Sequence, residues 1–294
     1  MKKNKLLLVL NFFILTLLAA IFFRQGVFDL YYKFFLKLPE ISENLTNTIA
    51  GEIEKQIITP PPLRAEKESP SSFLTDAGVI EWTNIQRGNQ GLPPLKENSS
   101  LDATALAKAQ DMLENQYFAH ESLSGLGVGD LADNAGYKFI IIGENLALGN
   151  FEDDQVLVQA WMDSPGHRAN ILNDRYLEIG VAVIKGIYEG QNTWLAVQHF
   201  GLPLSACPQP SPTLQEQIKL NQTEIDNLQI VLVNLEQEIK SMRRIDREIY
   251  SQKVGEYNNL VAQYNALVEE IKLLVSQYNS QVLLFNNCVS GIID

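Results

Sequence analysis

The chain is poor in cysteine and in histidine. Two cysteines in 294 residues, Cys207 and Cys288, exclude a scaffold stapled by many disulfides and leave room for a single bridge. Basic residues are outnumbered, with 23 Lys and Arg against 35 Asp and Glu. The deficit is concentrated in residues 73–206, which carry 7 basic against 17 acidic residues, so a nucleic-acid partner is excluded for want of the clustered Lys and Arg that phosphates need. No G-x-S-x-G elbow occurs, which argues against a serine hydrolase built around Ser122 or Ser164. The glycine-rich "SGLGVGD" (124–130) has no phosphate-binding spacing and is expected to be a mobile loop.

One long apolar run is present. Lys2, Lys3 and Lys5 precede an uncharged stretch from Leu6 to Phe23, about 27 Å long as a helix, which just spans a bilayer core. Ala19-Ala20 is followed by Ile21-Phe22-Phe23, a poor cleavage site, which favours an uncleaved anchor over a signal peptide. The lysine-rich tail places the bulk of the chain outside the cytoplasm. The aromatic "VFDLYYKFFLKL" that follows suits a helix at the interface or a continuation of the anchor, so residues 1–38 form one membrane segment. Residues 39–72 contain "TPPPLRAEKESP" and have the composition of a linker with a stiff centre, expected to serve as a spacer. "NLT" (44–46) matches a glycosylation acceptor, a weak signal by itself.

Residues 73–206 show the pattern of a compact α+β domain. Val79, Ile80, Trp82 and Ile85 lie at helical spacing behind Thr75 or Asp76 as N-cap, and residues 98–118 predict a second helix capped by Ser99 or Ser100. "EDDQVLVQAWM" (152–162) predicts a third, its acids placed at the positive end of the helix dipole. "YKFIII" (137–142) predicts a strand ending before "GENLA", and residues 178–186 and 193–201 predict a hairpin. Beyond Cys207 the pattern changes to heptads, first from Leu214 to Met242 and then from Tyr250 to Phe285, out of phase by one residue near 247. Cys207 and Cys288 lie almost symmetrically about that slip. Residues 207–294 therefore read as a coiled coil, either an antiparallel hairpin closed by a Cys207–Cys288 disulfide, which is favoured, or one continuous helix dimerising in parallel.

Two histidines and a glutamate carry the candidate chemistry. His120 in "YFAHESLSG", Glu144 in "GENLA" and His167 in "SPGHRANIL" form a set able to hold Zn²⁺ or another divalent cation with a position left open. Glu144 could equally cap its turn, Arg168 is expected to bond a carboxylate or carbonyl within the domain, and Asn145 and Asn170 are expected to hold turns. His199, alternating with Val197 on a strand, reads as a satisfied or exposed histidine. No organic cofactor is indicated.

The ordered segments "TNIQRGNQGLPPLKENSSLDATALAKAQDM", "YFAHESLSG", "AGYKFIIIGENLA", "VQAWMDSPGHRANIL", "EIGVAV" and "WLAVQHFG" closely resemble the bacterial branch of the CAP superfamily, named for cysteine-rich secretory proteins, antigen 5 and pathogenesis-related proteins. The resemblance implies an α-β-α sandwich, displayed outside the cytoplasm, with a cleft lined by two histidines and two acids. His120, Glu144 and His167 fall on three of those positions. Ser164 stands at the fourth, where eukaryotic members have a glutamate, and only Asp163 could substitute. The functional expectation is a membrane-anchored, extracytoplasmic binding module for a lipid or cell-envelope ligand, with a protein partner for the coiled coil. The alternatives are a metal-dependent hydrolase of peptide or envelope material and a purely structural surface protein.

Overall fold

The computed structural model describes residues 55–242 and 247–291. The expected anchor, its interfacial continuation and the "NLT" site lie outside these residues. No helix among the described residues is long and apolar enough to cross a membrane.

A central sheet orders its strands β1-β4-β6-β5-β3, with β2 also pairing β4. Its antiparallel heart is β4 (Phe139–Leu148), β6 (Gln191–Pro203) and β5 (Glu178–Tyr188). The hairpin β5–β6 forms where β-branched and aromatic residues flank the turn at Glu189-Gly190, both at positive φ. Short β3 (Lys96–Glu97) adds to β5.

Side chains alternating along these strands bury two faces. On one face, α1 (Asp76–Asn89), α4 (Asp154–Asp163) and α5 (Pro165–Ile171) pack Val79, Leu157, Val158, Trp161 and Ile171 against Ile141, Ala147, Ile179, Val181, Ala196 and Phe200. On the other, α2 (Ser99–Asn115) sets Ala105, Ala109 and Met112 against Leu146, Ala182, Leu195 and Val197. The small residues of α2 let it come very close to β5. At Gly180 a Cβ would lie 2.2 Å from the Leu101 carbonyl carbon. Burying both faces of one sheet in this way yields the expected α-β-α order of layers.

Several local expectations are corrected. Asn98, not Ser99 or Ser100, caps α2, its side chain accepting from Ser100 and Leu101 N–H. Part of the supposed mobile loop at 124–130 is helical, as α3 (Val128–Asn134). The strand expected to stop at Ile142 continues through "GENLA" to Leu148, so Glu144 lies within β4 rather than capping a turn. Arg168 is exposed on α5. The buried arginine is Arg87, which donates to the carbonyls of Pro93, Ile171 and Asn173.

The largest departure concerns the proline-bearing segment. Instead of standing off as a spacer, it lies along the free edge of β4 as β1 (Gln56–Ile58) and β2 (Leu63–Arg64), both parallel to β4. With this strap in place every residue of β4 is buried.

Two long helices complete the described chain, α6 (Pro212–Ser241) and α7 (Arg247–Ser290). They lie side by side and antiparallel. Ser211 N–H meets Gln281, Asn221 meets Glu270 and Lys253 meets Glu238, pairs that descend one helix as they climb the other. Most of the residues read as heptad positions are buried, among them Ile218, Ile225, Leu232, Leu235 and Ile239 facing Tyr257, Tyr264, Val268, Ile271, Val275, Val282 and Phe285, whereas Tyr250, which opens the second run, is exposed. A Cys207–Cys288 disulfide closes the open end. There Phe285 joins the core of the sandwich and Arg175 donates to the carbonyls of Cys288 and Val289.

Candidate functional site

The site is centred on Glu144, whose side chain is completely buried. In the β4–β6 register Glu144 stands directly opposite His199, so both side chains emerge on the same face, toward α2. Glu144 Oε2 lies 2.8 Å from His199 Nε2. Its other oxygen, Oε1, lies 2.6 Å from Nδ1 of His120, which the irregular segment after α2 brings back over the sheet. Burial raises the pKa of Glu144, but the hydrogen bonds and positive charge of His120 and His199 outweigh it and hold the group at about 2. The site therefore contains a buried carboxylate anion clamped by two imidazoles.

Further partners hold the clamp in place. Thr104 of α2 lies 2.9 Å from His199 Nδ1 and donates to the Leu101 carbonyl. His120 Nε2 donates to the carbonyl of Pro60 in the strap. Lys108 is buried below, donating to the His120 carbonyl at 2.7 Å and to Tyr117. Burial lowers its pKa, opposed by the negative charge of Glu144.

On the opposite face a second polar chain crosses the sheet. Gln198 donates to Thr83, Asn145 to Gln198 and to the His167 carbonyl, and Asn170 to Asn145. Asn170 also reaches the carbonyls of Glu144 and of Ile58 in the strap. Asn145 and Asn170 thus tie α5 and the strap to β4 rather than holding turns.

His167 sits on α5 with Nδ1 2.7 Å from Ser164 Oγ, while its buried Nε2 has no hydrogen-bond partner. Desolvation, helped by the charge of His120, lowers its pKa to about 4. Asp163 is exposed and accepts from Gln159, so it does not replace the missing acid. Of the three expected site residues, the structure hydrogen-bonds His120 to Glu144 and leaves His167 outside that pair. The partner that sequence reading missed is His199. Its signal lies in the β4–β6 pairing, which the local pattern around "GENLA" does not reveal.

This arrangement does not suit a divalent cation. Both Glu144 oxygens already accept from imidazoles, and both His120 nitrogens face oxygens. Among the described residues no group of three or more His, Cys, Asp or Glu is disposed to hold a metal ion. A serine hydrolase is equally unsupported. Ser164 faces His167, but no carboxylate orients that ring from Nε2, and Ser122 is bonded to Ser124.

Comparison with known proteins agrees with the motif order. The uncharacterized protein YkwD of Bacillus subtilis (strain 168) is 39% identical over 130 residues, covering 42% of this chain and 50% of the relative. The uncharacterized membrane protein YlbC of the same organism is 30% identical over 133 residues, covering 45% of this chain and 38% of the relative. The chain thus spans half or less of the curated relatives it matches. Among solved structures, an extracellular protein containing an SCP domain from Bacillus anthracis str. Ames is 30% identical, with a TM-score of 0.37 over 42% of this chain and 39% of that one. An outer surface protein of Borrelia burgdorferi is 24% identical, with a TM-score of 0.39 over 42% of this chain and 90% of that one. Residues 80–200 match the model of the Cysteine-rich secretory protein family, CAP.

Proposed function

We propose that the domain is an extracytoplasmic binding module for a cell-envelope ligand, with its site in the cleft around His120, Glu144, His199 and His167. The observation that carries this reading is the buried Glu144 anion, which has been given two imidazole partners directly beneath a peripheral segment of chain. A fully buried charge is expensive unless paired, and it stands beside the stretch of β4 that the strap passes without ladder pairing. The Cys207–Cys288 bridge supports an oxidising compartment, where such bonds persist. The names of two relatives, one extracellular and one a membrane protein, agree with display outside the cytoplasm.

Binding is favoured over hydrolysis by the charge state of the carboxylate. A group held at about 2 is a poor general base near neutrality, because it has little affinity for the proton it would have to accept. The test is amide hydrogen exchange of the full-length protein with and without solubilised envelope material. A ligand-dependent change of exchange in residues 56–65 and 117–122, lost in a His120→Ala/His199→Ala variant that keeps its fold, is the expected result. Exchange changes confined to the two long helices, or identical in the variant, would refute the assignment of the site.

A further inference from the structure

The strap meets β4 in ladder register at both ends and leaves it in the middle. Ile58 stands opposite Gly143 and Leu63 opposite Ala147, so four strap residues, Thr59 to Pro62, pass three residues of β4 centred on Asn145. Three of the four are prolines, which have no N–H to give to a ladder. Here the domain holds the strap through its main-chain carbonyls instead. Asn170 donates to the Ile58 carbonyl, and His120 donates to the Pro60 carbonyl two residues on.

Along the strap's path the domain repeatedly lacks a Cβ. One at Gly129 would come 2.8 Å from Ile57, one at Gly166 2.6 Å from the buried Pro60 ring, and one at Gly149 2.3 Å from Ala65. Beside Gly166, the buried Nε2 of His167 is left unused by the strap.

Building on the binding-module reading, we infer that the β4 groove is a docking site for an extended, proline-bearing polypeptide, and that residues 56–65 are its tethered occupant. The recognition groups are those that read a peptide main chain. They are a sheet edge open to a parallel strand, donors aimed at carbonyls two residues apart, and a seat for one proline ring against Gly166. An acyl chain would give Asn170 and His120 nothing to donate to. Departure of the strap would expose a row of β4 N–H and C=O groups, a ready template for another strand. Tethering gives the strap an effective concentration in the millimolar range, so a free peptide competes poorly until the strap is weakened.

The test uses the full-length protein in detergent and a fluorescein-labelled peptide of the strap's own sequence, KQIITPPPLRAE. Ile58 and Leu63 both pack on the core, so Ile58→Lys/Leu63→Lys weakens the strap. This variant should bind the peptide at least about tenfold more tightly than wild type, because the tethered competitor is gone. Peptide should also restore slow amide exchange to residues 139–148. A scrambled peptide, or the addition of Gly166→Ala to the weakened variant, should cost at least about tenfold, since either removes the fit of the proline ring. A second variant carrying a Gly-Ser run in place of residues 57–64 covers the case in which the lysines fail to free the edge.

The inference is overturned if a variant with a fast-exchanging β4 and an intact core binds the strap peptide no better than the scrambled one. Mixed micelles of anionic lipid in the same detergent and cell-wall fragments are run in parallel. If either of them protects β4 and the peptide does not, the peptide class is wrong and the binding module stands. If none of the three protects it, the binding module falls as well.

Discussion

Replacing Glu144 separates its charge from its shape. In the folded protein its pKa is held at about 2, against an ordinary value of 4.5. A carboxylate whose pKa is depressed by folding contributes stability that is fully present above its unfolded pKa and is lost as pH falls through the folded value. A difference of that size corresponds to about 3 kcal/mol, present above roughly pH 4.5 and lost toward pH 2. Glu144→Gln keeps the side-chain volume, and its amide can accept from one imidazole while donating to the other. The variant should therefore fold at pH 7, yet lose the stability change between pH 4.5 and 2.5. His167 acts in a different window. Its pKa is lowered to about 4, so the unfolded chain takes the proton first and stability falls as pH drops from about 6.5 to 4. That slope should survive in Glu144→Gln and vanish in His167→Gln. Urea unfolding followed by the fluorescence of the buried Trp161 at half-unit steps from pH 7 to 2.5 reads both windows. A Glu144→Gln protein with the wild-type slope below pH 4.5 would refute the claim that the clamp holds an anion.

Three other outcomes follow from the packing. Breaking the Cys207–Cys288 bridge by double serine substitution opens a loop of sequence separation 81 and should cost roughly 4–5 kcal/mol in the chain-entropy picture, read as a lower urea midpoint. Gly180→Ala would drive a methyl into the backbone of α2, and a loss of about 3 kcal/mol or more in the same assay is expected. Arg87→Met leaves three carbonyls without their donor and should cost about 3 kcal/mol, with faster amide exchange around residues 171–173.

Legibility followed locality. The helices at 76–89 and 154–163 and the hairpin 178–203 were readable because periodicity and caps act over a few residues. Heptad spacing likewise marked most of the buried residues of the two long helices, and the symmetric placing of the two cysteines favoured the antiparallel hairpin over one continuous helix. His120 and Glu144 were found through motif order. His199 was not, because a histidine on a strand takes its meaning from the residue across the ladder, and that register is set by a partner 55 positions away.

By itself the sequence determined the principal helices and the hairpin, the acidic character of the domain, the heptad character of the two long helices and two members of the buried clamp. These depend on side-chain periodicity, charge and the rarity of a residue type, all of which survive without coordinates. Only the tertiary structure decided that Glu144 is shared by His120 and His199, that His167 stands apart, and that the prolines lie along β4. A sheet edge has no sequence signature of its own. What covers it is settled by which segment can offer carbonyls to His120 and Asn170 and fit beside glycines brought together from three separate parts of the chain.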